Sequence, residues 1–164
     1  MAGNIFLKID GIDGDCSEQG HPKWIEVMSF SEGFSQAGGG SASAQGAHAG
    51  ARVDIADFTV SKGSDSSSPN IALFCCSAKH IASIKMEVCR TLNDENVAFM
   101  VYEFKDSIIS SFSVSGSGDS VPMETLSIRF AEIHWDYIPT DPTGGGKKQA
   151  AVKFGWSTHQ NKKV

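Results

Sequence analysis

Apolar and polar residues alternate with a period of two along most of this chain, and that pattern fits few structures other than half-buried β-strands. In ASIKMEVCR, for example, Ile84, Met86 and Val88 share one parity, while Lys85 and Glu87 share the other. We therefore expect a mainly β fold, an antiparallel barrel or sandwich. The further strands that we predict are NIFLKID, KWIEVMSFSEGF, ARVDIADFTVS, NVAFMVYEF, SIISSFSVS, METLSIRFAEIHWDYI and AVKFGW.

In two of these segments, ARVDIADFTVS and METLSIRFAEIHWDYI, the apolar residues change parity along the length. In METLSIRFAEIHWDYI, Leu126 and Phe130 belong to one alternating series, whereas Ile133 and Tyr137 belong to the opposite one. A long strand whose buried face switches is typical of a barrel or of an orthogonally packed sandwich, where one strand serves two sheets. The turn residues SGSGDS before it predict a hairpin with SIISSFSVS.

The segment SPNIALFCCSAKH predicts the one short helix, over about residues 69–78. Ser68 suits the N-cap, and Pro69 suits the first helical position because its missing N–H needs no partner there. Cysteine packs as a small hydrophobic residue, so we place Cys75 and Cys76 in or near the core.

Two stretches are too rich in glycine and alanine to be predicted as strands. Residues 35–50 form an extended loop longer than a compact monomer needs, which makes it a candidate contact arm. Residues 139–149 are predicted to be a flexible connector between the last two strands.

Length, charge and hydropathy exclude several classes of protein. The 164 residues are enough for one domain, spanning 1–164, and the net charge of −5 argues against nucleic acid as a partner. No apolar run approaches the roughly 20 residues that span a bilayer, and the N-terminus has no signal-peptide pattern. We expect cytoplasmic assembly, no membrane insertion and four reduced cysteines.

No catalytic or metal motif emerges from the residue spacing. Cys76 and His80 are four apart, but two ligands do not make a site, and Cys16 and Cys89 stand alone in the sequence. We predict no metal, no cofactor and no enzyme activity. Two alternatives stay open: a small hydrolase using Cys75 or Cys76, and a secreted monomeric β-sandwich that binds a ligand through exposed, clustered tryptophans, namely Trp24, Trp135 and Trp156.

Four stretches together resemble the haemolysin-coregulated protein (Hcp) family, the tube subunit of the bacterial type VI secretion system. They are IFLKIDGIDGD, HPKWIEVMSFSEGFSQ, SPNIALFCCSAKH, and METLSIRFAEIHWDYIP with AVKFGWSTHQN. The resemblance implies a homo-hexameric ring, stacked rings, a spike protein (VgrG), a contractile sheath and small effector proteins carried in the lumen. It also implies secretion without a signal peptide. This chain has Gly14-Asp15-Cys16 where the family commonly has Gly-Glu-Ser, which puts any special role of that serine in doubt.

By the same resemblance, the strand containing Ser29 and Ser31 lines the channel, and Ser31 occupies the position of a residue that contacts cargo. The alternative is a small residue merely tolerated on a packed face. The resemblance also implies that the extended loop contacts neighbouring subunits or the next ring. The loop residues assigned to this contact are Gln36, Gly38, Gly39, Gly40, Gln45 and His48.

Overall fold

The predicted mainly antiparallel β fold is confirmed by a computed structural model, which describes residues 4–38, 50–139 and 149–164. Eleven strands and one helix lie in these ranges, and they form a nine-stranded sheet and a separate two-stranded sheet. The elements are β1 Asn4–Ile9, β2 Ile25–Val27, β3 Ser29–Ser31, β4 Phe34–Gly38, β5 Gly50–Ile55, β6 Phe58–Gly63, α1 Ser68–Cys76, β7 Ile81–Leu92, β8 Glu95–Ser115, β9 Met123–Tyr137, β10 Val152–Ser157 and β11 Lys162–Lys163.

The longest strands, β8 and β9, form the predicted hairpin. NVAFMVYEF and SIISSFSVS, which we predicted as consecutive segments, are one 21-residue strand. Asp106 lies between them with a positive φ of 51°, and the register with β9 shifts between Ile109 and Ser111. These irregularities let a single strand bend between two differently packed halves.

The predicted change of parity in β9 is confirmed by its partners. Met123 to Ile128 pair with β6, whereas Glu132 to Tyr137 pair with β10. Phe130 and Ala131, which lie at the changeover, are both buried. One strand therefore serves two parts of the structure, because its outer edge passes from one partner to another.

The prediction of one continuous strand in KWIEVMSFSEGF is wrong. β2 pairs with β1, β3 pairs with β6, and Met28 between them is 65% exposed. The Met28 N–H donates to the Ser61 carbonyl at 2.9 Å, so the chain passes here from the edge of β1 to the edge of β6. Since β6, β9, β8, β7 and β1 are already joined in that order, this crossing closes a barrel.

The helix lies close to its predicted place. It spans Ser68–Cys76, and Ser67 rather than Ser68 occupies the N-cap position. Ile71 and Phe74 are buried, as an amphipathic helix requires. Cys75 packs partly against the core, but Cys76 is exposed, which corrects its predicted placement in or near the core.

The extended loop predicted over 35–50 is only partly a loop. β4 and β5 pair from Phe34 opposite Ile55 to Gly38 opposite Gly50, and together they form a hairpin that we call the arm. Glycine and alanine did not prevent strand pairing here. Gly39, Gly40, Gln45 and His48 lie outside the described residues, as does most of the predicted connector.

Aromatic rings dominate the core of the barrel. The Phe104 ring packs 4.7 Å from Phe58 and 5.1 Å from Phe130, centroid to centroid. A second, smaller cluster contains Phe6, Cys16 and Cys89, with Trp24 against it. Within the described residues, no helix is long and apolar enough to span a bilayer.

Candidate functional site

A field of small hydroxyl side chains covers one face of four neighbouring strands. Pairing places Ser31 beside Thr59, Thr59 beside Ser127, and Ser127 beside Ser111. Alternate residues of a strand share a face, so the residues two positions along form a second row on this face. That row also consists of hydroxyl side chains. We call this surface the hydroxyl face: Ser29, Ser31, Thr59, Ser61, Ser111, Ser113, Thr125 and Ser127.

The intervening residues of the same strands point to the other side and build the core. Phe30, Val60, Leu126 and Phe112 are paired across β3, β6, β9 and β8. Val60 and Leu126 are fully buried, while Phe30 and Phe112 are partly buried against the same core. The four strands therefore separate an apolar interior from a hydroxyl surface with a strict period of two.

The hydroxyl face carries no charged side chain of its own. At one end it is bounded by Asp57, which accepts two hydrogen bonds of 3.2 Å from Arg129. Within the face, the hydroxyls of Thr59 and Ser127 lie 3.2 Å apart. The outer strands are more exposed than the inner ones, since Ser29, Ser31, Ser111 and Ser113 are exposed. Such hydroxyls donate to and accept from water or any polar surface.

A buried ion pair lies behind this face. Lys62 Nζ is 2.7 Å from Glu124 Oε2, and both side chains are almost fully buried. Burial raises the pKa of the Glu124 carboxyl. Hydrogen bonds from Lys62, Ser64 and Ser68 lower it by more, so the pKa ends below its usual value. Since Ser68 begins α1, this network fixes the start of the helix against β6 and β9.

The sequence identified only two members of the hydroxyl face, Ser29 and Ser31. Both are exposed on β3. The other six were missed because they come from three strands that are distant in sequence, and only the register brings them together. A signal was present: serine or threonine recurs at alternate positions in FTVS, SSFSVS and ETLSIRF.

The arm packs against a different part of the molecule. Phe34 meets Phe154 of β10 with ring centroids 5.5 Å apart, and Arg52 donates to the Thr158 carbonyl at 2.5 Å. Between the arm and β10 lies an apolar groove of about 560 Å³. Its lining includes Phe34, Val53, Ile55, Trp135, Phe154 and Trp156.

Two features make this groove a candidate contact surface. The indole N–H groups of Trp135 and Trp156 are buried and have no hydrogen-bond partner among the described residues. Phe34 is 41% exposed although it is a large apolar residue. Of the predicted loop contacts, Gln36 lines the groove and Gly38 lies in β4.

The structure gives little support to a hydrolase that uses Cys75 or Cys76. Cys76 is exposed, and His80 Nε2 lies 3.2 Å from an Asp106 carboxylate oxygen. The three tryptophans do not share one surface either, because Trp24 packs against His21 and the Cys16 cluster, away from the groove.

Comparison with known proteins shows a family relationship. The family described as "Type VI secretion system effector, Hcp" matches residues 6–137, a range that contains all four strands of the hydroxyl face. Protein hcp1 of Pseudomonas aeruginosa is 31% identical over 162 residues, which cover 98% of each chain.

Solved structures agree with this relationship. One described as a type six secretion system protein has a TM-score of 0.91 and 30% identity, over 99% of this chain and 100% of its own. Hcp1 from Salmonella typhimurium has a TM-score of 0.78 and 29% identity over the whole of both chains.

Proposed function

This chain belongs to the Hcp family of type VI secretion proteins, and we propose that it is a structural subunit of the inner secretion tube. In this proposal the whole chain is one domain, six copies form a ring, and rings stack. The tube carries small effectors in its lumen, bears the VgrG spike and is expelled by the contractile sheath. The subunit assembles in the cytoplasm, leaves without a signal peptide and does not act as an enzyme.

The observation that carries this proposal is the hydroxyl face. A lumen that transports different proteins must be wetted and must not bind any of them tightly. A hydroxyl that exchanges water for a cargo group gains only about 0.5–1.5 kcal/mol per hydrogen bond. Because the face is uncharged and bears small side chains, it offers cargo many weak contacts and no deep apolar pocket.

Strand edges on both sides of the hydroxyl face support a ring. Within the described residues, no strand pairs with the outer side of β3, nor with β8 beyond Ser107. A contact between the β3 edge of one copy and the β8 edge of the next is heterologous, and repeated heterologous contacts close into a ring when the rotation permits. The hydroxyl faces of successive copies then form one continuous lining.

The arm and its apolar groove supply a second contact in the proposal. The half-exposed Phe34 and the apolar lining of the groove are suited to burial against a neighbouring subunit. Apolar contact of this kind contributes roughly 25 cal/mol per Å² of buried apolar surface. Gln36, Gly38, Gly39, Gly40, Gln45 and His48 remain the proposed arm contacts.

The first test is the native mass of the purified protein by light scattering, with negative-stain imaging of the same peak. We expect open rings of about six times the chain mass of 17.5 kDa. A monomer at micromolar concentration, unchanged by salt, contradicts the ring. Ligand-dependent quenching of tryptophan fluorescence in such a monomer would instead favour the β-sandwich binding module.

A bulky substitution tests which surface faces the lumen. Ser31→Trp is expected to leave the ring mass unchanged and to narrow the stain-filled channel, because every copy adds an indole to the lining. Ser117→Trp, in the exposed turn before β9, is the matched control and should leave the channel unchanged. Loss of the ring in Ser31→Trp alone would place Ser31 in a subunit contact and reject its assignment to the lumen.

A further inference from the structure

His21 lies in the segment between β1 and β2, and its ring is held in one orientation. It is 4% exposed, stacked on Phe6 at 4.1 Å and met edge-on by Trp24 at 4.8 Å, centroid to centroid. A buried imidazole with fixed ring planes presents its two nitrogens in defined directions. What lies opposite each nitrogen therefore decides what the residue can bind.

Each ring nitrogen faces a carboxylate, and one of them also faces a thiol. Nδ1 is 2.5 Å from Oε2 of Glu18, while Nε2 is 2.8 Å from Oε2 of Glu87 and 3.9 Å from Sγ of Cys89. The ligand atoms of His21, Glu87 and Cys89 all lie within 4.8 Å of one another. A nitrogen, an oxygen and a sulfur donor thus converge on one point beside β7.

We propose that this convergence is a binding site for a divalent cation of the zinc class. The ligands are Nε2 of His21, the carboxylate of Glu87 and the thiolate of Cys89. On binding, the Cys89 thiol proton and any proton on Nε2 pass to solvent, as metal ligation at cysteine and histidine requires. The site lies on β7 and the segment between β1 and β2, apart from the hydroxyl face.

The geometry suits zinc better than other common cations. Zinc bonds of about 2.0–2.3 Å to nitrogen, oxygen and sulfur in a tetrahedron place neighbouring donors about 3.2–3.8 Å apart. The separations of 2.8 Å and 3.9 Å from Nε2 lie on either side of this range, and the three donor atoms span up to 4.8 Å, so binding requires the side chains of Glu87 and Cys89 to shift towards one ion. Calcium and magnesium prefer oxygen donors throughout, so a thiolate disfavours both. Three protein ligands leave the fourth position for water.

Glu18 completes the arrangement from outside the ligand set. A carboxylate on the second nitrogen of a ligating histidine fixes the tautomer and makes the metal-bound nitrogen more basic. Glu87 is suited to ligation because its carboxylate oxygen already lies 2.8 Å from Nε2 and its strand, β7, also carries Cys89. A plain ion-pair network accounts for both carboxylates, and the buried Cys89 also packs with Phe6 and Cys16, so the presence of a metal must be tested directly.

Cobalt(II) is the probe for this site, because its absorption reports on ligands. Full-length protein is stripped with a chelator and titrated with Co²⁺. We expect one ion per chain, visible bands of tetrahedral intensity and a near-ultraviolet thiolate-to-cobalt charge-transfer band, all of which Zn²⁺ displaces. Cys89→Ser should abolish the charge-transfer band, and Glu87→Gln should weaken cobalt binding at least tenfold.

Cys16→Ser is the matched control, since Cys16 is buried in the same apolar cluster as Cys89 but lies outside the ligand group. It should keep the band, as should Cys76→Ser and His48→Ala. Absence of the band from the wild-type protein, or its survival in Cys89→Ser, overturns the proposal. If Cys89→Ser does not fold, X-ray absorption of the wild-type zinc complex decides: one sulfur ligand per metal is expected, and a shell without sulfur overturns the site.

Discussion

The two halves of the hairpin of β8 and β9 have different chemistry. In one half, paired positions carry hydroxyls, with Ser111 beside Ser127 and Ser113 beside Thr125. In the other half, Tyr102 is paired with Trp135, and their rings stack with centroids 5.5 Å apart. The hydroxyl half has β6 on the outer edge of β9, whereas the aromatic half has β10. A change of edge partner lets one hairpin provide both a wetted surface and a packed aromatic layer.

The two halves also differ in what stabilises them. Phe104 lies under the aromatic half in contact with three other rings. Behind the hydroxyl half lies the buried ion pair of Lys62 with Glu124. We therefore expect substitutions to act through lost packing in one half and through an unpaired buried charge in the other.

Removing the central ring of the aromatic half should have the largest effect. Phe104→Ala is expected to lower the free energy of unfolding by about 3–5 kcal/mol, because it removes a fully buried side chain and leaves a cavity. Urea unfolding at a fixed protein concentration measures this, since assembly makes apparent stability concentration-dependent. A loss below about 1 kcal/mol would mean that the aromatic half repacks freely.

Breaking the ion pair behind the hydroxyl half should come next. Lys62→Met is expected to cost about 3 kcal/mol, because it leaves the Glu124 carboxylate buried without its cation. The double variant Lys62→Met with Glu124→Leu should recover part of that loss, since Asp65, 2.9 Å from Lys62 Nζ, still lacks its cation. If the double variant is no more stable than Lys62→Met, the unpaired Glu124 charge is not the cause.

Tyr102 tests a polar contact within the aromatic half. Its hydroxyl donates to Glu32 Oε1 at 2.9 Å, and the other oxygen of Glu32 is buried with no partner in the part of the chain that the structure describes. Tyr102→Phe should therefore cost about 1–2 kcal/mol, the usual loss when a buried acceptor is left unsatisfied. Glu32→Gln in the Tyr102→Phe background should restore part of it, whereas an unchanged loss points to packing.

Acid should weaken the hydroxyl half through Glu124. The pKa of this carboxyl is below its ordinary value of 4.5 in the folded protein, so its stabilising contribution is complete above pH 4.5 and is lost as the pH falls through the folded pKa. Glu124→Gln should flatten the fall in unfolding free energy below pH 4.5. Parallel pH profiles for the two proteins would show that other groups govern the acid response.

The smallest effect is expected on the hydroxyl face itself. Ser29→Ala and Ser31→Ala should each change the unfolding free energy by less than about 0.5 kcal/mol, as exposed substitutions usually do. A loss above about 1 kcal/mol in either variant would show that β3 depends on hydroxyl contacts.

The alternation of apolar and polar residues correctly predicted the features that depend on one segment alone. The alternation in β7, the parity change in β9 and the position of α1 follow from which residues each segment must bury, and the structure agrees closely. A signal of the break at Met28 was present in KWIEVMSFSEGF, because the apolar residues pass there from odd positions, Ile25 and Val27, to an even one, Phe30. The change of partner from β1 to β6 explains this switch.

The candidate sites could not be fully predicted for the same reason: their residues come from segments that are distant in sequence. Ser29 and Ser31 could be proposed because a related family was recognised, but the other hydroxyls required the register of four strands. Similarly, Cys89 stands alone in the sequence, and only folding brings it to His21, which is 68 residues away. Contacts between distant segments depend on topology, which composition and spacing do not specify.

The shortness of β3 has a consequence for how rings would form. With three residues, this edge offers very few backbone hydrogen bonds to another chain. Short edges protect a protein from uncontrolled strand pairing. In a ring built through β3, two copies that meet alone gain little and separate quickly, while the closed ring has no free end. We therefore expect assembly to be cooperative, with monomers and complete rings populated and partial rings rare.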